Sequence, residues 1–107
     1  MKISYGLPED GLKRVRQRDV RCVYCHKVMV PNSPKKDKRD CPTIEHLNHL
    51  PPWDNIETVA ICCWSCNSSR GNRLITQWFE GAYCRERNIN YDTVAAAVRS
   101  YIDAYEK

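Results

Sequence analysis

The chain has 107 residues, with 17 lysines and arginines against 13 acidic residues for a formal net charge of +4, and seven cysteines. That length accommodates one domain, 1–107, since compact domains usually run to about 100 to 150 residues, and no apolar stretch approaches the roughly 20 residues of a membrane-spanning helix. Met1 to Gly11 carries charges and no apolar run, which reads as the lack of a secretory signal; the expected setting is a reducing cytoplasm, where paired cysteines serve metals rather than disulfides.

In chain order, Leu12 to Val20 sets Leu12, Val15 and Val20 at loosely helical spacing among cations and predicts a short helix with a basic outer side. Cys22 to Cys25 has the spacing of a metal knuckle, a tight turn whose backbone amides face thiolates. Pro31 to Asp40 holds turn formers and charges, and reads as a loop. Thr43 to His46 and Glu57 to Cys62 predict the two strands of a hairpin. Pro51-Pro52 belongs to the loop between them, because proline cannot donate to a ladder. From Ser65, a suitable N-cap, the pattern turns helical and stops at Gly71. Leu74, Ile75, Trp78, Phe79, Ala82 and Tyr83 predict one amphipathic helix, and Val94, Val98, Tyr101, Ile102 and Tyr105, after cap-like Asn90 to Asp92, predict a second. Their aromatic stripe reads as core packing. The expected class is α+β.

Two C-x2-C pairs, Cys22/Cys25 and Cys63/Cys66, make an all-thiolate ligand set suited to tetrahedral zinc. Spacing alone also admits iron, which takes four thiolates in the same geometry. Cys62 adjoins Cys63, but only Cys63 leaves a two-residue spacer before Cys66. Cys41 and Cys84 have no partner at knuckle spacing and read as ordinary buried thiols, and His26, just past the first knuckle, reads as an exposed side chain. A thioredoxin-like redox pair would need a βαβ context, which is absent. A zinc deaminase would need H-x-E before P-C-x-x-C, and Glu45 instead directly precedes His46.

Between the pairs lie Glu45-His46 and Asp54-Asn55, and Asn67 follows the second pair at once. Cleaving a phosphodiester needs a base for water and a hard cation for the charge that builds on phosphate. An imidazole changes charge near neutral pH, which makes His46 the candidate base. Glu45 and Asn67 offer the carboxylate and amide oxygens that magnesium prefers. Adjacent residues on a regular strand point to opposite faces, so Glu45 and His46 can share a site only if the strand ends or bulges at His46. Arg70 lies three residues from Asn67 on the same helix face and is placed either to grip phosphate or to cap the helix end. Arg73, Lys13, Arg14, Arg16 and Arg18 would neutralise flanking phosphates and make binding salt-dependent.

The ordered set Cys22-x2-Cys25, Glu45-His46, Asn55 and Cys63-x2-Cys66-Asn67-Ser68-Ser69-Arg70-Gly71-Asn72-Arg73 resembles the HNH endonucleases with four-cysteine zinc knuckles. The resemblance implies a small ββα-metal (His-Me finger) core over residues 18–78, stapled by structural Zn2+, with a flanking N-terminal helix and a C-terminal helical extension over 79–107. It further implies that His46 is the general base, that Asn55 steadies the loop and the base, that Glu45 and Asn67 hold a catalytic Mg2+ or Mn2+, and that DNA is the substrate. RNA cleavage is open to the same residues. The chain departs from the family pattern in carrying Glu45 where Asp is common, and in the loop Leu47 to Trp53, where His49 is a rival base or extra ligand. The competing class is a non-catalytic zinc-knuckle module that binds nucleic acid or protein through its basic surface; it would have no use for Glu45, His46 and Asn67 together.

Overall fold

The computed structural model describes residues 9–30, 38–48 and 56–106. Asn55, His49, Pro51-Pro52 and residues 31–37 of the first loop lie outside them.

Helix α1, Glu9–Arg18, buries Val15 and half-buries Leu12. Val20 falls beyond the helix and is 73% exposed. Five residues after Val15, it would point roughly 140° away on a helix of 3.6 residues per turn, off the buried face.

Strands β1, Pro42–His46, and β2, Val59–Cys63, pair antiparallel in unbroken register from Pro42 opposite Cys63 to His46 opposite Val59. Glu57 and Thr58, expected in the second strand, instead form a 3-10 turn, Ile56–Thr58. Every residue of β2 is buried, because both faces of the strand are covered. Val59 and Ile61 pack with Val15 of α1 and with Ile44, whereas Ala60 and Cys62 enter the main core. The outer edge of β2 is occupied too. Arg18 Nη2 donates to Val59 O at 2.8 Å, Ile61 N donates to Asp19 Oδ2 at 2.9 Å, and Val23 N donates to Ile61 O at 3.3 Å. Residues 18–23 thus satisfy backbone groups that an open edge would leave unpaired.

Helix α2, Trp64–Arg70, starts directly from β2. Its N-cap is Cys63, whose Sγ accepts from Cys66 N at 3.5 Å. Ser65, the expected cap, sits inside the helix with its hydroxyl 2.8 Å from the Tyr83 hydroxyl. The helix ends at Gly71, as expected, at φ +58°, a conformation open to glycine because it lacks a Cβ.

The single helix expected over Leu74 to Tyr83 is divided into α3, Ile75–Trp78, and α4, Ala82–Arg87, with Gly81 extended between them. Trp78 and Tyr83 stack with centroids 5.8 Å apart and planes at 26°. Five positions apart on a continuous helix they would diverge by roughly 140°, and the break brings the two rings together. Helix α5, Ala96–Tyr105, closes the main core with Val98, Tyr101 and Ile102. The Glu106 carboxylate accepts from Ile75 N at 3.0 Å and Thr76 N at 2.9 Å, which caps α3. At the centre Trp78 is fully buried, with Tyr24 of the first knuckle edge-on at 4.8 Å. Of the aromatic stripe, Trp78 and Tyr101 are core, Phe79 and Tyr83 pack half-buried against it and Tyr105 is exposed, within a small compact α+β fold of N-terminal helix, β-hairpin, following helix and C-terminal helices. No helix among the described residues is long and apolar enough to cross a membrane.

Candidate metal centre and hydrolytic site

The four knuckle cysteines converge at one end of the hairpin. Cys22 and Cys25 lie in the turn after α1, where His26 N donates to Cys22 O at 2.9 Å and His26 takes φ +64°. Cys63 ends β2 and Cys66 lies in the first turn of α2. The Sγ atoms of Cys22, Cys25, Cys63 and Cys66 all lie within 4.8 Å of one another, and those of Cys25 and Cys63 are 3.8 Å apart. A tetrahedral ion with sulfur at about 2.3 Å sets sulfurs about 3.8 Å apart, so the cluster fits structural Zn2+. The electrostatics point the same way. The Cys22 thiol is pushed far down by donation from Cys25, Cys63 and Cys66, whereas Cys63 and Cys66 are pushed up, first by their bonds to Cys22. Cys25 is lowered as well, to about 7, so two of the four thiols favour the thiolate and the other two the thiol in the absence of a cation.

Tyr83 supports this cluster from outside. Its hydroxyl lies 3.3 Å from Cys66 Sγ, and the Arg87 guanidinium sits 3.7 Å above its ring. Burial and the Cys66 contact raise the phenol's pKa, which keeps it a proton donor. The remaining thiols stay apart from the cluster. Cys62 and Cys84 are buried, with burial raising Cys84 to about 12, and Cys41 is half-buried. His26 is exposed, as expected, with Nε2 against Thr93 O.

The Glu45-His46 pair occupies the other end of β1. The regular register puts the two residues on opposite faces, and His46 is the last strand residue, so the strand ends there without a bulge. Glu45 shares the core-facing side with Thr43, while half-buried His46 shares the α1 side with Ile44. Glu45 is 1% exposed. Its Oε2 accepts from the Tyr24 hydroxyl at 3.1 Å and lies 3.2 Å from Arg70 Nη1. Burial raises the carboxyl above the usual carboxylate range despite the guanidinium beside it.

Helix α2 lies along this face of β1. Asn67 Nδ2 donates to Thr43 Oγ1 at 3.0 Å and reaches Ile44 O at 3.5 Å. One turn later Arg70 Nη2 donates to Leu47 O at 2.5 Å and Nε to Arg73 O at 2.9 Å. Glu45 and Asn67 therefore share a face and supply the oxygen types a hard cation takes. Among the described residues, the one group of three or more His, Cys, Asp or Glu side chains gathered closely enough for a metal is the four-cysteine cluster.

The structure corrects one of the six expected phosphate contacts, Arg70, while Arg18 stays exposed but paired. Arg70 is 1% exposed and turned inward, so it is unavailable to a bound strand. Arg18 is folded back in a paired contact with Asp19, Nε to Oδ1 at 2.8 Å and Nη2 to Oδ2 at 2.9 Å. Lys13, Arg14, Arg16 and Arg73 are exposed. Sequence reasoning missed Tyr24, Asp19 and Tyr83. Tyr24 carried a signal in its position between the knuckle cysteines, which fixes it in the core; Asp19 and Tyr83 depend on tertiary contacts that no local pattern announces.

Compared with known proteins, the chain has no significant match to a family model, a curated protein or a solved structure.

Proposed function

We propose that the protein is a divalent-metal-dependent endonuclease that hydrolyses DNA phosphodiester bonds, built on a structural zinc site. The observation that carries this reading is the docking of α2 on β1: Asn67 bonds to Thr43 at 3.0 Å and Arg70 meets Glu45 and Leu47, on either side of His46. The helix that Cys63 caps and that contains Cys66 thereby sits against the strand that carries the candidate base, the order of parts that HNH-like hydrolysis needs.

In this reading His46 takes a proton from water for in-line attack on phosphorus. Because Glu45 is 1% exposed and leaves the face opposite His46, a phosphate meets both only when the contact of Glu45 with Arg70 opens at the strand's end. Glu45 and Asn67 would hold Mg2+ or Mn2+, which would supply positive charge to the phosphate and the departing oxygen. Tyr24 and Arg70 orient the Glu45 carboxylate, and Asn55 steadies the base. Lys13, Arg14, Arg16 and Arg73 draw in the backbone of the nucleic acid.

One observation favours the rival reading, a zinc-knuckle module that binds DNA without cutting it: the Glu45 carboxylate is already matched by a buried guanidinium. Supercoiled plasmid separates the two. With magnesium or manganese the wild-type protein should nick it and His46→Ala should not. Binding with no cleavage by the wild type, or equal cleavage by His46→Ala, rejects the assignment.

A further inference from the structure

Arg70 is among the largest fully buried side chains of the protein. A buried cation is costly to desolvate, and a buried ion pair seldom stabilises more than well-packed apolar residues would. Its presence asks for another explanation. What distinguishes a guanidinium is a rigid planar fork that can engage several acceptors in fixed directions. Arg70 spends that fork on three acceptors in two chain segments: Arg73 O through Nε at 2.9 Å, Leu47 O through Nη2 at 2.5 Å and Glu45 Oε2 beside Nη1 at 3.2 Å. Nη1 lies at ion-pair distance yet makes no hydrogen bond of good geometry, so the carbonyls hold the fork and the carboxylate contact is one of charge.

The targets are informative. Glu45 immediately precedes His46, and Leu47 immediately follows it. Leu47 N in turn donates to Thr58 O at 2.8 Å, so its peptide is tied to both β1's partner segment and α2. The turn at Gly71 folds the chain back so that Arg73 O meets Nε, which fixes the guanidinium from its own side.

We propose that Arg70 is the positioning residue for His46, a buried clamp that fixes the residue before and the residue after the candidate base. The clamp rests on the nuclease reading for its catalytic consequence. Its mechanical part, that Arg70 holds the end of β1, does not depend on that reading.

The test uses the full-length, zinc-loaded chain and the Arg70→Lys variant, which keeps the charge beside Glu45 but loses the planar fork. Plasmid nicking with magnesium is measured as kcat and KM, alongside zinc content, thermal midpoint and amide hydrogen exchange at Leu47. The variant should keep its zinc and its KM and lower its midpoint only by the loss of the two carbonyl bonds, while kcat per folded molecule falls about 10-fold or more, since small misplacements of a reacting group cost that much, and Leu47 should exchange faster. Unchanged kcat with unchanged Leu47 exchange overturns the clamp. So does a loss of activity matched by the fraction of unfolded protein. If the wild type does not cut, the nuclease reading has failed, and Leu47 exchange alone then decides the clamp: faster exchange in Arg70→Lys supports it and equal exchange overturns it. Should Arg70→Lys fail to fold, Arg70→Gln, neutral but planar and hydrogen-bonding, takes its place in the same measurements, where a lower kcat with faster Leu47 exchange supports the clamp and unchanged values overturn it.

Discussion

The two ends of the hairpin are built by opposite means. At the Cys63 end, four short side chains, two from a tight turn and two from the junction of β2 with α2, converge on one spot, and their sulfurs already lie within 4.8 Å of one another. At the His46 end, neighbouring side chains diverge across the two faces of a regular strand, and α2 must reach over to engage one of them. The first site can be closed by an ion alone. The second depends on how precisely surrounding contacts hold a strand terminus. Helix α2 joins them, with Cys66 at the thiol end and Arg70 at the other, so a change at either end is expected to separate folding from chemistry.

The largest expected effect is at the thiol end. Cys63→Ser, or zinc removal by a chelator, should unfold the chain, because structural zinc in small domains contributes about 10 to 16 kcal/mol; circular dichroism with zinc analysis reads this directly. Folded, metal-free protein would show that the core around Trp78 stands without the cluster. His46→Ala should do the reverse, lowering the nicking rate by about 10² to 10⁴ with zinc content and thermal midpoint unchanged. Glu45→Ala falls between these extremes. It leaves Arg70 buried without its carboxylate, which should lower unfolding free energy by about 3 to 5 kcal/mol in a denaturant titration, so a loss of activity in this variant must be read beside its stability. The Tyr83→Phe change is smaller: removing the hydroxyl 3.3 Å from Cys66 Sγ should weaken zinc retention about 10-fold, measured by competition with a chromophoric chelator.

How much of each end was readable in the sequence follows from the same contrast. The cysteine pairs were legible because spacing fixes a knuckle locally, and Gly71 was legible because a helix end wants a residue free to take positive φ. Residues 74–83 misled, since helical spacing says nothing of the stacking between Trp78 and Tyr83 that favours a break. At the Glu45-His46 end the alternation of faces was legible from strand geometry, whereas the burial of Glu45 against Arg70 was not. Arg70 carried every mark of a surface cation on a short helix, and only the tertiary docking of α2 on β1 turns it inward against Glu45. Charge in a sequence announces itself, whereas burial of charge is decided by partners far along the chain.

The pH dependence of stability tests that burial. Burial holds the Glu45 carboxyl above its ordinary range in the folded protein, with Arg70 only partly offsetting the effect. Between the unfolded and the folded pKa the native state binds more protons than the unfolded chain, so unfolding free energy falls as pH rises. Stability from this group is therefore fully present below the ordinary carboxylate value, and it is lost as pH climbs through the raised folded value. Glu45→Gln cannot ionise and should lack this component. Subtracting its thermal midpoint from that of the wild type across this range also cancels the loss of zinc at acid pH, which both chains share. A difference that declines with pH and then levels marks a carboxylate held away from water. A flat difference would mean that Glu45 is solvated, and that the His46 end of the hairpin is as open as the Cys63 end is closed.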